Sequence, residues 1–155
     1  MTDILDIALL HRPGEKLGRG AFITERFSVD FLVNGRSLYG LLKQGDFSGA
    51  FLSHKDRLPR RRQVNEEQRR LFTAFGDMPL RVAILVCPEC GDLGCGGITF
   101  DLARTGDKVL WSNFGYENSF DESRNDFEKY KDVGPFEFEI ARYIEVIERA
   151  AKGKL

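Results

Sequence analysis

Apolar and polar residues alternate first with one period and then with another along this chain, and each change of period marks an element. Phe27, Val29, Phe31 and Val33 stand at every second position, with Ser28, Asp30 and Leu32 between them, and lead into Asn34-Gly35, which predicts a strand running into a tight turn. Ser37 is placed to cap a short helix through Gln44, in which Leu38, Leu41 and Leu42 share one face and Gly45-Asp46 gives the stop. A short strand is expected at Gly49 to Leu52 and a polar surface loop from Ser53 to Gln63. A second helix is expected to start at Asn65, to carry Leu71, Phe72 and Phe75, and to end near Gly76.

Leu80 to Val86, Ile98 to Arg104 and Lys108 to Tyr116 then read as three successive strands, the last two joined by Thr105-Gly106-Asp107. The first is apolar without alternation from Val82 to Val86, as in a central strand covered on both faces. The second alternates Ile98, Phe100 and Leu102 with Thr99, Asp101 and Ala103, so one of its faces is expected to be wet. From Phe136 the chain is extended and then turns helical, with Ile140, Tyr143, Ile144 and Ile147 spaced to pack on a sheet. These elements predict a single α+β domain spanning residues 1–155: an antiparallel meander, in an antiparallel or mixed sheet, with two to three packed helices including a C-terminal one.

A chain of 155 residues is long enough for one core, and with thirteen phenylalanines and 42% apolar residues the composition is that of a globular protein. No segment reads as a secretion signal or a membrane span, so a cytoplasmic protein with no membrane partner is expected. The net charge of −1 hides an asymmetry. Lys55 to Arg70 holds seven basic and three acidic residues, whereas Glu117 to Arg149 holds ten acidic and five basic ones. This predicts a basic side and an acidic side, or pairing between the two.

All three cysteines fall in Cys87-Pro-Glu-Cys90-Gly-Asp-Leu-Gly-Cys95, between two predicted strands. In a reducing compartment clustered thiols point to metal or to reduced side chains before a disulfide. Cys87 and Cys90 have the spacing of a zinc half-site and Cys95 can add a third thiolate; His54, His11, Asp92 or Glu89 would have to complete the tetrahedron. The competing reading is a glycine-rich hairpin whose cysteines plug the strand ends. A redox pair lacks the helix N-terminus that lowers a thiol pKa.

The remaining motifs carry less. Gly14-x3-Gly18-x-Gly20 lacks the flanking strand and helix of a phosphate cradle and reads as a loop. Arg60-Arg61-Arg62, with Arg57, Arg69 and Arg70 nearby, has no interleaved aromatics, and the pI of about 6.2 argues against nucleic acid. His11 and His54 have no nucleophile placed beside them in sequence, and no catalytic constellation is recognisable. The segment from Trp111 through Phe114, Tyr116 and Glu117 to Asp121 and Glu122 mixes large rings with carboxylates, the makings of a protein-binding anchor. Because Trp111 and Phe114 are three apart on a strand, they are expected on opposite faces, with at least one ring in the core.

Cys87-x2-Cys90-Gly91-Asp92-x2-Cys95-Gly96, Trp111-x2-Phe114-x-Tyr116-Glu117 and Gly134-Pro135-Phe136-x-Phe138 together resemble a family of small bacterial cytosolic proteins over about Arg26 to Ile147. That resemblance brings no activity with it. In type the chain also resembles the immunity proteins of polymorphic-toxin and contact-dependent growth inhibition systems. The second resemblance implies a non-enzymatic protein that neutralises a cognate bacterial toxin, such as a nuclease, by direct contact. The acidic face Glu117, Asp121, Glu122, Asp126 and Glu128 would then cover the toxin's basic cleft. The alternative is a small zinc or thiol protein centred on Cys87, Cys90 and Cys95.

Overall fold

The computed structural model describes residues 2–43, 47–89 and 96–155. In chain order the elements are β1 (Leu5–Arg12), β2 (Glu15–Gly18), β3 (Ala21–Ile23), β4 (Arg26–Val33), β5 (Arg36–Ser37), α1 (Leu38–Leu42), β6 (Ser48–Gly49), α2 (Arg61–Phe72), β7 (Leu80–Val86), β8 (Gly97–Thr105), β9 (Lys108–Glu117), β10 (Phe136–Glu139) and α3 (Ile140–Lys152). One antiparallel sheet has the order β1-β4-β5, a second the order β10-β9-β8-β7-β6, and β2 pairs with β3 alone. The fold is α+β with a C-terminal helix, and β7, β8 and β9 form the expected meander.

Two seams join the large sheets. At the first, Ser48 and Gly49 pair with Val86 and Leu85 of β7, and the same segment then crosses to β4. Phe51 O accepts from Val29 N at 2.9 Å, and Ser53 N donates to Phe27 O at 2.9 Å. At the second, Asp3 N donates to Glu137 O at 2.6 Å, and Glu137 N donates to the Asp3 carboxylate at 2.9 Å. The sheets therefore curl around a shared core.

Local chemistry fixes several elements where the sequence placed them. Asn34 and Gly35 take φ of 53° and 81°, the left-handed pair that a two-residue hairpin turn needs. Ser37 caps α1, its Oγ accepting from Gly40 N at 3.0 Å. Along α3, Tyr143, Val146, Ile147 and Ala150 are buried. Phe31, Phe72, Phe100, Phe138 and Tyr143 surround Trp111 with ring centroids 4.7–5.9 Å away. Trp111 Nε1 donates to Tyr143 Oη at 3.3 Å and that hydroxyl donates to Phe72 O at 2.6 Å, so the polar atoms of this apolar cluster are satisfied. Burial pushes the Tyr143 phenol above its ordinary value near 10.

The structure corrects four expectations. The stretch Gly14 to Gly20 is no simple loop: it supplies β2 and most of the turn to β3, with Gly18, Arg19 and Gly20 all at positive φ. The segment Ser53 to Gln63 is not merely surface, because Ser53 and Asp56 are buried and α2 begins inside it at Arg61. Asn65 does not start α2. It lies buried in mid-helix, and the helix ends at Phe72 with Leu71 turned outward, 41% exposed. Trp111 and Phe114 both face the core, 0% and 1% exposed, because between the pairs Asp101–Ser112 and Thr99–Gly115 β9 uses one residue more than β8. Asn113, at φ 55°, is the extra residue of this bulge, and it changes the phase of the alternation.

Two outcomes test this reading. A Cβ on Gly49 would be driven into the backbone oxygen of Val29. Gly49→Ala is therefore expected to lower the unfolding free energy by about 2 kcal/mol or more in urea titration. Glu139 caps α3, accepting from Arg142 N and Ala141 N at 2.9 Å each, and these bonds hold its carboxyl below the ordinary value near 4.5. A depressed carboxyl adds stability that is present above the unfolded value and lost as pH falls through the folded one. Glu139→Gln should thus melt at a lower temperature than the parent at neutral pH, with the two curves converging on acidification below 4.5.

Candidate functional site

The chain leaving β9 forms a loop that is ordered by its own side chains. Asn118, only 8% exposed, donates its N–H to Asn125 Oδ1 at 2.8 Å. Its Oδ1 accepts from Phe120 N at 3.0 Å and from Asp121 N at 3.1 Å, so one amide oxygen organises the turn. Asp126 rejoins β9 by paired backbone bonds with Tyr116, at 2.8 and 2.9 Å. Short 3-10 turns run over Glu122–Arg124 and Glu128–Tyr130, and Tyr130 is buried beneath the second. From this braced turn the Phe120 side chain projects outward, 85% exposed.

Around it stand the acidic residues expected to face a partner. Asp121 accepts from Ser123 Oγ and Ser123 N and pairs with Arg124 Nε at 3.4 Å. The Ser123 hydroxyl, first among these contacts, holds the Asp121 carboxyl below its ordinary value and keeps it charged. Glu128 pairs with Lys131 Nζ at 2.7 Å, and Asp126 Oδ1 accepts from Lys129 N at 3.2 Å. Glu122 is exposed, and its side chain has no partner among the described residues.

Glu117 is placed differently. Its carboxylate lies 3.3 Å from Arg81 Nε, and Arg81 also donates to Thr99 Oγ1 at 2.9 Å and to the Asn113 carbonyl, while pairing with Asp101 at 3.2 Å. The guanidinium lies 4.9 Å from the centroid of the Phe127 ring. Glu117 thus belongs to a brace that ties β7, β8 and β9 to the loop. The other four carboxylates remain at the surface, where paired ions exchange partners at little cost.

Of the cysteines, Cys87 follows β7 and is half-buried, whereas Cys90 and Cys95 lie outside the described residues. Among the described residues no group of three or more His, Cys, Asp or Glu side chains is placed to hold a metal ion. His11 pairs with Glu25 at 2.8 Å and stacks on Phe27 with ring centroids 4.4 Å apart, and His54 Nδ1 lies 2.8 Å from Gly153 O. Arg61 is committed to the backbone oxygens of His54 and Asp56, at 2.8 Å each, while Arg69 and Arg70 pair with Glu66. No helix among the described residues is long and apolar enough to cross a membrane. Comparison with protein-family models, with curated proteins and with solved structures returns no match.

Phe120 is the residue that reading the sequence passed over in favour of Trp111 and Phe114. The signal was present: a single ring set between Asn118 and Asp121, just after a strand and inside a polar run, occupies a turn and not a core position. Asn118→Ala removes the organising amide without touching the core. It is expected to speed hydrogen exchange at the Phe120 and Asp121 amides, while the melting temperature falls by only a few degrees, about 1 kcal/mol.

Proposed function

We propose that this protein is a non-enzymatic binding protein that engages a partner protein of basic surface through the loop after β9, with Phe120 as the anchor. The observation that carries this reading is that a hydrogen-bonded turn holds a large apolar ring in water. Exposing a phenylalanine forfeits the favourable burial of its surface. Fixing it in advance removes part of the ordering cost that binding would otherwise incur. Rings of this kind, seated in a partner's pocket and ringed by polar groups, are typical hot spots.

The acidic groups Asp121, Glu122, Asp126 and Glu128 supply the complementary field. Their exposed pairing with Arg124 and Lys131 can be exchanged for a partner's cations, and the field they make speeds encounter more than it tightens the complex. Together with the resemblance in type to immunity proteins, this supports a cytosolic role in which the partner is a toxin domain, with a nuclease's basic cleft as the surface covered. The zinc reading centred on Cys87, Cys90 and Cys95 is a separate proposal.

Native mass spectrometry of the untagged protein isolated from its host separates the two, since a retained partner and a bound zinc ion each add their own mass. A one-to-one complex, once identified and reconstituted, is expected to lose affinity by about 2 kcal/mol in Phe120→Ala. Reversing Asp121, Glu122 and Asp126 to lysine should lower mainly the association rate, and more strongly at low salt. A complex indifferent to both sets of changes would remove the proposal.

A further inference from the structure

On another part of the surface, a cavity of about 190 Å³ lies between α2 and the strand ends at Ser48–Ala50 and Val86–Glu89. Cavities of roughly 150 Å³ accept a molecule the size of benzene, so the space suits a small organic ligand. Its sheet side presents the apolar Ala50, Leu52 and Val86, with Ser48 and Glu89 also lining it and the Glu89 carboxylate accepting from Thr24 N at 3.1 Å. Arg26 also borders it but is already engaged, donating from Nε to Pro88 O at 3.0 Å and pairing with the buried Asp56 at 3.4 Å.

The helix side is polar and has a direction. Arg60 and Gln63 stand at the N-terminal end of the wall, and Glu67 and Gln68 one to two turns further on. Gln68 Oε1 is buried and accepts no hydrogen bond, the sole buried side-chain nitrogen or oxygen in that condition among the described residues. Buried acceptors are nearly always satisfied, and one left without a donor is costly. The Arg60 and Glu67 side chains have no ion pair or hydrogen bond among the described residues, although Glu66, Arg69 and Arg70 on the same helix are paired. The first turn of α2 contains no acidic residue and no side-chain cap, so its N–H groups and helix dipole add to the positive end.

The wall therefore offers acceptors at one end, donors at the other, and an apolar surface opposite. We propose that this cavity binds a small zwitterion, a dipeptide with an apolar side chain. Its ammonium is received by Gln68 Oε1 and Glu67, its carboxylate by Arg60 and Gln63, and its side chain by Ala50, Leu52 and Val86. An extended dipeptide separates its two charges by about 7 Å, a span comparable to the roughly 6–12 Å of helix between the two ends of the wall. The site is separate from the loop that carries Phe120, so either can fail without the other.

The test is calorimetric and thermal titration of the full chain with leucine, leucyl-leucine, N-acetyl-leucine amide and adenosine monophosphate. Leucyl-leucine is expected to bind and raise the melting temperature; leucine, whose two charges sit on one carbon, the uncharged amide and the nucleotide are not. Arg60→Ala and Glu67→Gln, both at exposed positions, should each weaken binding about tenfold. Gln68→Leu should abolish the ligand-induced shift while the unliganded variant melts higher than the parent, because the unsatisfied acceptor is gone. No binding of leucyl-leucine at about 10 mM, equal binding of leucine, the acetylated amide or the nucleotide, or indifference to Arg60→Ala and Gln68→Leu would overturn the proposal.

Discussion

One carboxamide holds the place on which the rest of the fold depends. Leu52 lies where the chain passes from the β7 sheet to the β4 sheet, and neither sheet supplies a partner for both of its peptide groups. Asn65, 3% exposed in the middle of α2, accepts from Leu52 N at 2.8 Å and donates to Leu52 O at 2.8 Å and to Ala151 O at 3.1 Å. A single side chain thus satisfies the crossover strand and binds α2 to the end of α3. Removing one partner of such a buried set leaves the others unsatisfied, which costs more than the bond itself contributes. The ring cluster around Trp111 draws on the same two helices, through Phe72 of α2 and Tyr143 of α3.

Around that joint the molecule shows two kinds of surface investment. The loop after β9 is braced from below by Arg81 and Glu117 and internally by Asn118, and the bracing leaves a hydrophobic ring in solvent. The cavity beside α2 does the reverse: its helix wall keeps an acceptor and two charges without partners among the described residues, while Arg61, Glu66, Arg69 and Arg70 of the same helix are engaged. Native proteins satisfy buried polar groups and cover large apolar ones, and departures from that consistency concentrate where something else is bound.

Most of the architecture was legible in the chain because most of it follows local periodicity. β4, the three strands of the meander and α3 lie within a residue or two of where alternation and helical spacing place them. What was not legible depended on partners distant in sequence. Asn65 looks like a helix start because asparagine favours caps, yet its hydrogen bonds go to residues 13 and 86 positions away. The phase of Trp111 and Phe114 turns on one left-handed residue, Asn113, which no periodicity announces. Gly14 to Gly20 reads as a loop because its strands are short and its glycines frequent. Of the candidate site, the carboxylates were legible as charge, whereas Phe120 was legible only through the polar run around it, since a phenylalanine in a core-rich chain gives no sign by itself that it faces water.

The second seam also orders events in time. β1 finds its β4 partner within residues 5–33, but Asp3 meets Glu137 across 134 positions of chain. During synthesis the β1–β4 hairpin must therefore wait, with the Asp3 end of the sheet lacking this contact, until β10 emerges. The curled sheet closes only when β10 and α3 have left the ribosome, so an early interruption of translation leaves an open sheet edge, a surface prone to pairing with other chains.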